Sequence, residues 1–302
     1  MRAIDGGDVR FGAAFEPEFR DVPDDPTPFV PGPDAQFQTL QSSNNGQRIR
    51  MPYTRRSFAI EPGTFRGSWG WQFTMTASDT DWLDAILGEN GGDGWSGEPQ
   101  PMSFFIGYVP HDDDEIIEGA VPQSATISPQ TGQSGVNVTV EGFYSDRYPA
   151  DTGFALGSQP QPSEDVLRYQ DATLTLDGGE RMIVQDAQIS IQWPSLQGIE
   201  GFGDRRFIGY EVNDMEPSIN YTAVEVDDRE SQLLYGSDDS MGGAVPTYDD
   251  FELALDRDGS GVKFLGETAF PQQHSESTLG ESQSRVDESL DFDLTDLTAE
   301  AI

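Results

Sequence analysis

The sequence predicts a mainly β fold with two short helices, arranged as two tandem units. Three observations lead there. Apolar and polar residues alternate with period two over most of the chain. Helical signals are confined to two short stretches. Several landmarks recur at a nearly constant offset of about 150 residues.

The first half begins weakly. Residues 21–46 show no strong periodicity and read as a long loop, a length that is usually functional. The pattern then sharpens. Trp69, Trp71, Phe73 and Met75 fall on one side of a strand, with Gly70, Gln72, Thr74 and Thr76 on the other. Ser78 or Asp79 can cap a short helix through Trp82, Leu83, Ile86 and Leu87, stopped by Gly88. Ser103–Ile106 reads as a strand, and Val136, Val138 and Val140 alternate with Asn137, Thr139 and Glu141. Pro149–Ser163, rich in Pro, Gly and Gln, suits a linker.

The second half repeats the style. Ala172–Leu176 and Val184–Trp193 flank a glycine turn, and Ile189, Ile191 and Trp193 share one face. A strand from Ser218 precedes a second helix, capped by Asp227 or Asp228, carrying Leu233, Leu234 and Tyr235, and stopped by Gly236. Phe251–Leu255 and Val262–Leu265 flank Arg257–Gly261 as a hairpin. Leu290, Phe292 and Leu294 alternate with Asp291, Asp293 and Thr295.

The offset joins these halves. Ser68 and Ser218 open equivalent strands (218 − 68 = 150), the stop glycines Gly88 and Gly236 correspond, and Gly119–Pro122 matches Thr268–Pro271. An arginine pair precedes each unit, Arg55-Arg56 and Arg205-Arg206. The expected division is therefore 1–155, with the loop 21–46, and 156–302.

Composition bounds the setting. The 302 residues carry 54 Asp and Glu against 17 Lys and Arg, a net charge of -37, and Lys263 is the only lysine. Such self-repulsion opposes compaction at low ionic strength. In molar salt the Debye length falls to roughly 3 Å and the repulsion is screened. A surface of this kind suits a salt-loving host. The 18 Phe and 5 Trp supply a core, which separates this chain from a disordered polyanion. There is no cysteine, so disulfide and thiol chemistry are excluded. Residues 1–10 lack the apolar core of a signal peptide, and no apolar run reaches the roughly 20 residues of a membrane span. The scarcity of cations argues against a duplex-binding face.

The chemistry of a catalyst is not evident, and no catalytic, cofactor or metal residue is assigned. The two histidines, His111 and His274, lie in polar stretches, and no nucleophile elbow, P-loop or zinc motif occurs. Asp256, Asp258, Ser260 and Glu267 match the ligand spacing of an EF-hand loop, but the alternating Phe251–Leu255 favours a hairpin over a helix there. His111–Glu115 reads as a solvated loop tip before it reads as a cation site. The sequons at Asn137 and Asn220 fall within strands, and the stripe Trp69, Trp71, Phe73 reads as core rather than as a sugar platform.

The order of elements resembles that of viral tail tube proteins. The likeness is carried by Ala172–Leu176, the glycine turn, Val184–Trp193, the arginine-rich loop, the strand Ser218–Val226 and the helix before Gly236. The first half is similar through Gly67–Trp71, the helix ending at Gly88, and Ser103–Ile106. The resemblance covers about 230 residues, is weakest over 21–46, and is one of pattern, without an invariant signature. With the halophilic composition, it implies the major tube protein of a long non-contractile tail, from a virus of haloarchaea. It implies no enzyme activity, cofactor or membrane; the chain would be made in the host cytoplasm and end in the virion tail.

In that family each tube domain is a β-sandwich or barrel with a short flanking helix, so the resemblance implies two such domains in tandem. Sheets of neighbouring subunits join edge to edge into rings, and rings stack into the conduit for DNA. A single-domain tube protein makes a six-membered ring, so a chain with two such domains implies three chains in pseudo-sixfold symmetry. Implied partners are further copies, a terminator, a tape measure and a distal tail protein. DNA would pass without specific binding, and a wall poor in Lys and Arg offers phosphates few places to stick. Residues 21–46 are expected to join successive rings. Other readings are another tail ring component, such as a distal-tail or baseplate protein, a halophilic cell-surface adhesion module, or a calcium-dependent module.

Overall fold

Trp69, Trp71 and Phe73 all point into the core from one strand of a computed structural model. The structure describes residues 9–24, 26, 28–44, 47–50, 57–61, 63–89, 94–108, 114–150, 162–180, 184–201, 203–224, 247–277 and 287–302. The first half contains β1 (Val9–Phe15), β2 (Gln36–Asn44), β3 (Gln47–Arg50), β4 (Ser57–Glu61), β5 (Phe65–Thr74) and α1 (Asp81–Leu87). It continues with β6 (Gly94–Trp95), β7 (Met102–Tyr108), β8 (Glu115–Ser128), β9 (Asn137–Tyr144) and β10 (Asp146–Pro149). The second contains β11 (Ala172–Leu176), β12 (Gly179–Glu180), β13 (Val184–Gln192), β14 (Gln197–Glu200), β15 (Phe207–Glu211) and β16 (Glu216–Val224). It ends with β17 (Tyr248–Arg257), β18 (Ser260–Ser277), β19 (Asp287–Thr295) and β20 (Thr298–Ala301). The mainly β class is met, and the pairings are antiparallel.

The alternation places the core where the sequence predicts it. Trp69, Trp71, Phe73, Met75, Val136, Val138, Val140, Ile189, Ile191, Leu290, Phe292 and Leu294 are all buried. They line one continuous apolar cluster that spans both halves. The aromatic side chains of that cluster meet at angles favoured by their quadrupoles, as where Phe104 lies edge-on to Trp69 at 4.9 Å between ring centroids.

The pairing order in the two halves is the same. The first half runs β1-β7-β8-β9-β5-β2 and the second β11-β17-β18-β19-β16-β13. Registers repeat as well. Ser68 lies opposite Phe143, and Ser218, 150 positions on, lies opposite Asp293. The ladder of β8 slips between Pro122 and Ser124, and that of β18 slips between Pro271 and Gln273. A proline, which lacks an N–H, is tolerated where a bulge interrupts the ladder. A two-stranded hairpin recurs too: Gln47 pairs with Glu61 in β3–β4, and Gln197 with Glu211 in β14–β15. β1 and β11 hold the same place in the order, although their spacing differs from 150 and the two-residue β12 pairs outside β11.

The halves are not separate sheets. The long strand β8 changes partner midway: residues 115–120 pair with β7, and residues 124–127 pair with β13 of the second half. One 16-stranded sheet therefore crosses the junction. Ala299 also pairs with Trp95, and the Trp193 indole N–H donates to the carbonyl of Ile86 at 3.2 Å.

Three sequence expectations change. Residues 36–44, inside the expected loop 21–46, form strand β2. Its alternation is hidden because the register slips between Phe37 and Thr39 and its far end is polar. The N-cap of α1 is Thr80, not Ser78 or Asp79. Those two are engaged elsewhere: the Asp79 carboxylate accepts from the Thr76 hydroxyl and the Ser163 N–H, and the Ser78 hydroxyl donates to Asp165. Gly88 does end that helix, at φ 63°. Strand β18 runs to Ser277, well beyond Leu265. The second expected helix, the pair Arg55-Arg56 and most of Pro149–Ser163 lie outside the described residues.

Candidate functional site

Among the described residues, a dense polar cluster sits where the second half meets the first. Glu16 is buried, and its carboxylate accepts the Ser103 hydroxyl at 2.6 Å, the Gly119 N–H at 2.8 Å and the Arg20 N–H at 2.7 Å. Burial pushes its pKa up, against those hydrogen bonds. Gly119 has φ 64°, and a Cβ there would come within 2.9 Å of both the Phe19 ring and Ser145, so the tight packing needs glycine. The Arg20 guanidinium reaches Glu118 at 2.9 Å and Asp204 at 3.3 Å. Arg206 pairs with Asp146 at 2.8 Å and with Asp204 at 3.0 Å. The Arg206 guanidinium holds the Asp204 carboxyl well below its usual range. Burial and then Glu118 push the Tyr148 phenol up to about 12, while its hydroxyl donates to Glu118 at 3.1 Å.

This cluster binds the β14–β15 hairpin to the first half. The Ser145 hydroxyl donates to the Phe207 carbonyl at 2.8 Å, and Phe207 packs edge-on against Phe143. Each cation is matched by carboxylates of the same chain, so the arrangement serves as a joint. Sequence reasoning missed these residues: among 54 acids nothing marks Glu16 or Glu118. Of the noted arginine pair, Arg206 joins the cluster, and Arg205 donates to the carbonyl of Gly63 at 2.9 Å and to Asn44 at 2.7 Å.

The other noted residues fall as follows. Asp256–Gly261 forms a tight hairpin between β17 and β18, with Arg257 opposite Ser260. Asp258 and Gly259 both take positive φ, 57° and 82°, as a type I′ turn requires. The Asp256 carboxylate accepts the Gly259 N–H at 2.8 Å. An EF-hand needs a helix on either side, and here there are strands. Among the described residues no three His, Asp or Glu side chains converge as a metal site. Residues 111–113 lie outside the described residues, and Glu115 pairs with Arg147 at 2.5 Å. Asn137 and Asn220 do lie in strands, where Asn220 hydrogen-bonds Ser289 at 3.2 Å and also Asp291. The Trp69, Trp71, Phe73 stripe is core.

What is left open is backbone. Among the described residues, β2 pairs only with β5, and its second edge is bare. In β18, residues 260–269 pair with β17, but among the described residues 270–277 pair on one edge only, with β19. The corresponding stretch of β8 is covered by β13. Burial follows this difference. Val121, Gln123, Ser124 and Thr126 of β8 are buried or half-buried, whereas Phe270, Gln272, Gln273 and Ser275 of β18 are exposed. Phe270 is 38% exposed, one of few large apolar side chains on the surface among the described residues, while Val121 is fully covered. Unpaired edges invite strands of another chain.

No protein-family profile matches the sequence, and no curated protein is found to be related to it.

Proposed function

We propose that this chain is the structural subunit of a viral tail tube, from a tailed virus of salt-loving archaea. The observation that carries the reading is the repeated six-strand pairing order whose two copies already join edge to edge. A chain that joins two equivalent units laterally, and among its described residues leaves an edge of β2 and an edge of β18 unpaired, is suited to continue the same join with further copies. A head-to-tail contact closes into a ring when its rotation closes. With two units per chain, three chains would give a ring of six, and stacked rings would give a conduit. The division into units 1–155 and 156–302 belongs to this proposal.

The acidic composition supports it twice. It suits molar salt, and a wall poor in Lys and Arg gives passing DNA few phosphate contacts. On this reading the role is structural, the partners are further copies and the proteins at either end of the tube, and the place is the virion tail.

The test is to purify the chain in molar salt and image it by negative stain and cryo-electron microscopy. Rings or tubes with three chains per turn are expected. Six whole chains per ring would overturn the trimer. A stable monomer that binds glycan would overturn the tube and favour a cell-surface adhesion module.

A further inference from the structure

We infer that the bare edge of β2 in one copy of this chain pairs antiparallel with residues 270–277 of β18 in the next, with Gln41 opposite Ser275 and Ser43 opposite Gln273. The inference rests on the ring reading and fixes its seam.

The chain itself contains the template. At the internal junction Ile189 lies opposite Ile127, Ser190 opposite Thr126, Ile191 opposite Ala125 and Gln192 opposite Ser124. Each partner has a counterpart at the free ends. In β5–β9 and β16–β19 the registers coincide at 150. Relative to those ladders, Ile189 faces Ile219 as Leu40 faces Trp69, so Leu40 is the counterpart of Ile189, 149 positions earlier. Beyond the bulge of β18, Gln273 faces Asp291 as Ser124 faces Glu141, so Gln273 is the counterpart of Ser124, 149 positions later. Transferring the internal pairs to the outer edges gives Leu40 with Glu276, Gln41 with Ser275, Ser42 with His274 and Ser43 with Gln273.

Burial supports the same seam independently of register. The positions of β8 that β13 covers have bare equivalents on β18, and Phe270 is exposed where Val121 is buried. The seam differs in chemistry from its template. Ile127, Ala125, Ile189 and Ile191 make the internal junction apolar. The outer edges present Gln41, Ser42, Ser43, Gln272, Gln273 and Ser275. Polar edges keep separate copies soluble, and backbone hydrogen bonds supply the join.

The absence of native cysteine makes the test clean. Two double variants, Q41C with S275C and S43C with Q273C, place thiols on facing positions; Q41C with Q273C places them two residues out of register. Within one chain β2 and β18 are separated by six strands of the sheet, so no disulfide can close internally. Oxidation in molar salt, read on a denaturing gel, should give covalent dimers and a ladder that stops at three chains for both facing pairs. The out-of-register pair should react roughly tenfold more slowly. Rings seen by microscopy without these cross-links would overturn this seam and leave the ring reading standing. Folded variants that stay monomeric in molar salt would overturn both.

Discussion

Ile189 of β13 lies opposite Ile127 of β8, and both side chains are completely buried. That contact joins the two halves through the middle of one sheet, so their stabilities are expected to be coupled. Ile127→Ala should destabilise the whole chain by about 2–5 kcal/mol, because a buried branched side chain is lost and its neighbours close only in part. Urea unfolding in molar salt, followed by tryptophan fluorescence and by circular dichroism, should show one coincident transition for the parent and for the variant. Two separated transitions would mean that the halves fold independently.

Much of this sheet is legible in the sequence, because burial on one face only leaves a period-two trace. Trp69, Trp71 and Phe73, or Leu290, Phe292 and Leu294, announce both a strand and its buried side. The turn of Asp258 and Gly259 is legible because few residues tolerate positive φ. Strand β2 is not, since a slipped register after Phe37 breaks the alternation and an edge strand need not be apolar. The Glu16 cluster is not legible either. A carboxylate becomes buried and shared through contacts made by residues about 100 or more positions away, as with Gly119 and Arg20's partner Asp204. The repeat shows in sequence as sparse landmarks, and in structure as matching registers, because pairing constrains backbone position far more than side-chain identity.

The Glu16 carboxyl gives a pH prediction with a definite sign. Its pKa in the fold is raised by burial above the ordinary value of 4.5. A group of this kind binds its proton more tightly when folded, so its contribution to stability is full below the ordinary value and is lost as pH rises through the raised one. The parent should therefore gain stability relative to Glu16→Ala as the pH falls from 7 towards 4.5. At every pH the variant should be the weaker by about 1–3 kcal/mol, since the Ser103, Gly119 and Arg20 donors lose their acceptor. Denaturant midpoints across that range measure both; a gap that widened with rising pH would refute the assignment.

The hairpin at Asp256–Gly261 should behave as a turn and not as a calcium loop. Gly259 sits at φ 82° with open space where a Cβ would go, so Gly259→Ala strains only the backbone. A loss of about 1 kcal/mol is expected, with the fold retained. Calcium titrated at constant ionic strength should give no heat of site binding and no shift in melting temperature. Saturable binding of one ion, abolished by Asp258→Asn, would reverse this reading.

Salt should separate assembly from folding. A chain of net charge -37 repels itself, but its own core opposes that repulsion with large buried aromatics such as Trp69, Trp71 and Phe292. Between chains the proposed seam is polar, so far less apolar burial opposes the same repulsion. As salt falls from about 3 M the Debye length grows, from roughly 3 Å at 1 M to about 10 Å at 0.1 M, and charges on neighbouring chains come within reach of one another. Rings should therefore dissociate into folded single chains at a higher salt concentration than the one at which the chains unfold. Sedimentation velocity reports the first event and near-ultraviolet circular dichroism the second, along one series of potassium chloride. If both are lost together, folding itself depends on the neighbouring chain, and the bare edges of β2 and β18 are too costly to leave uncovered.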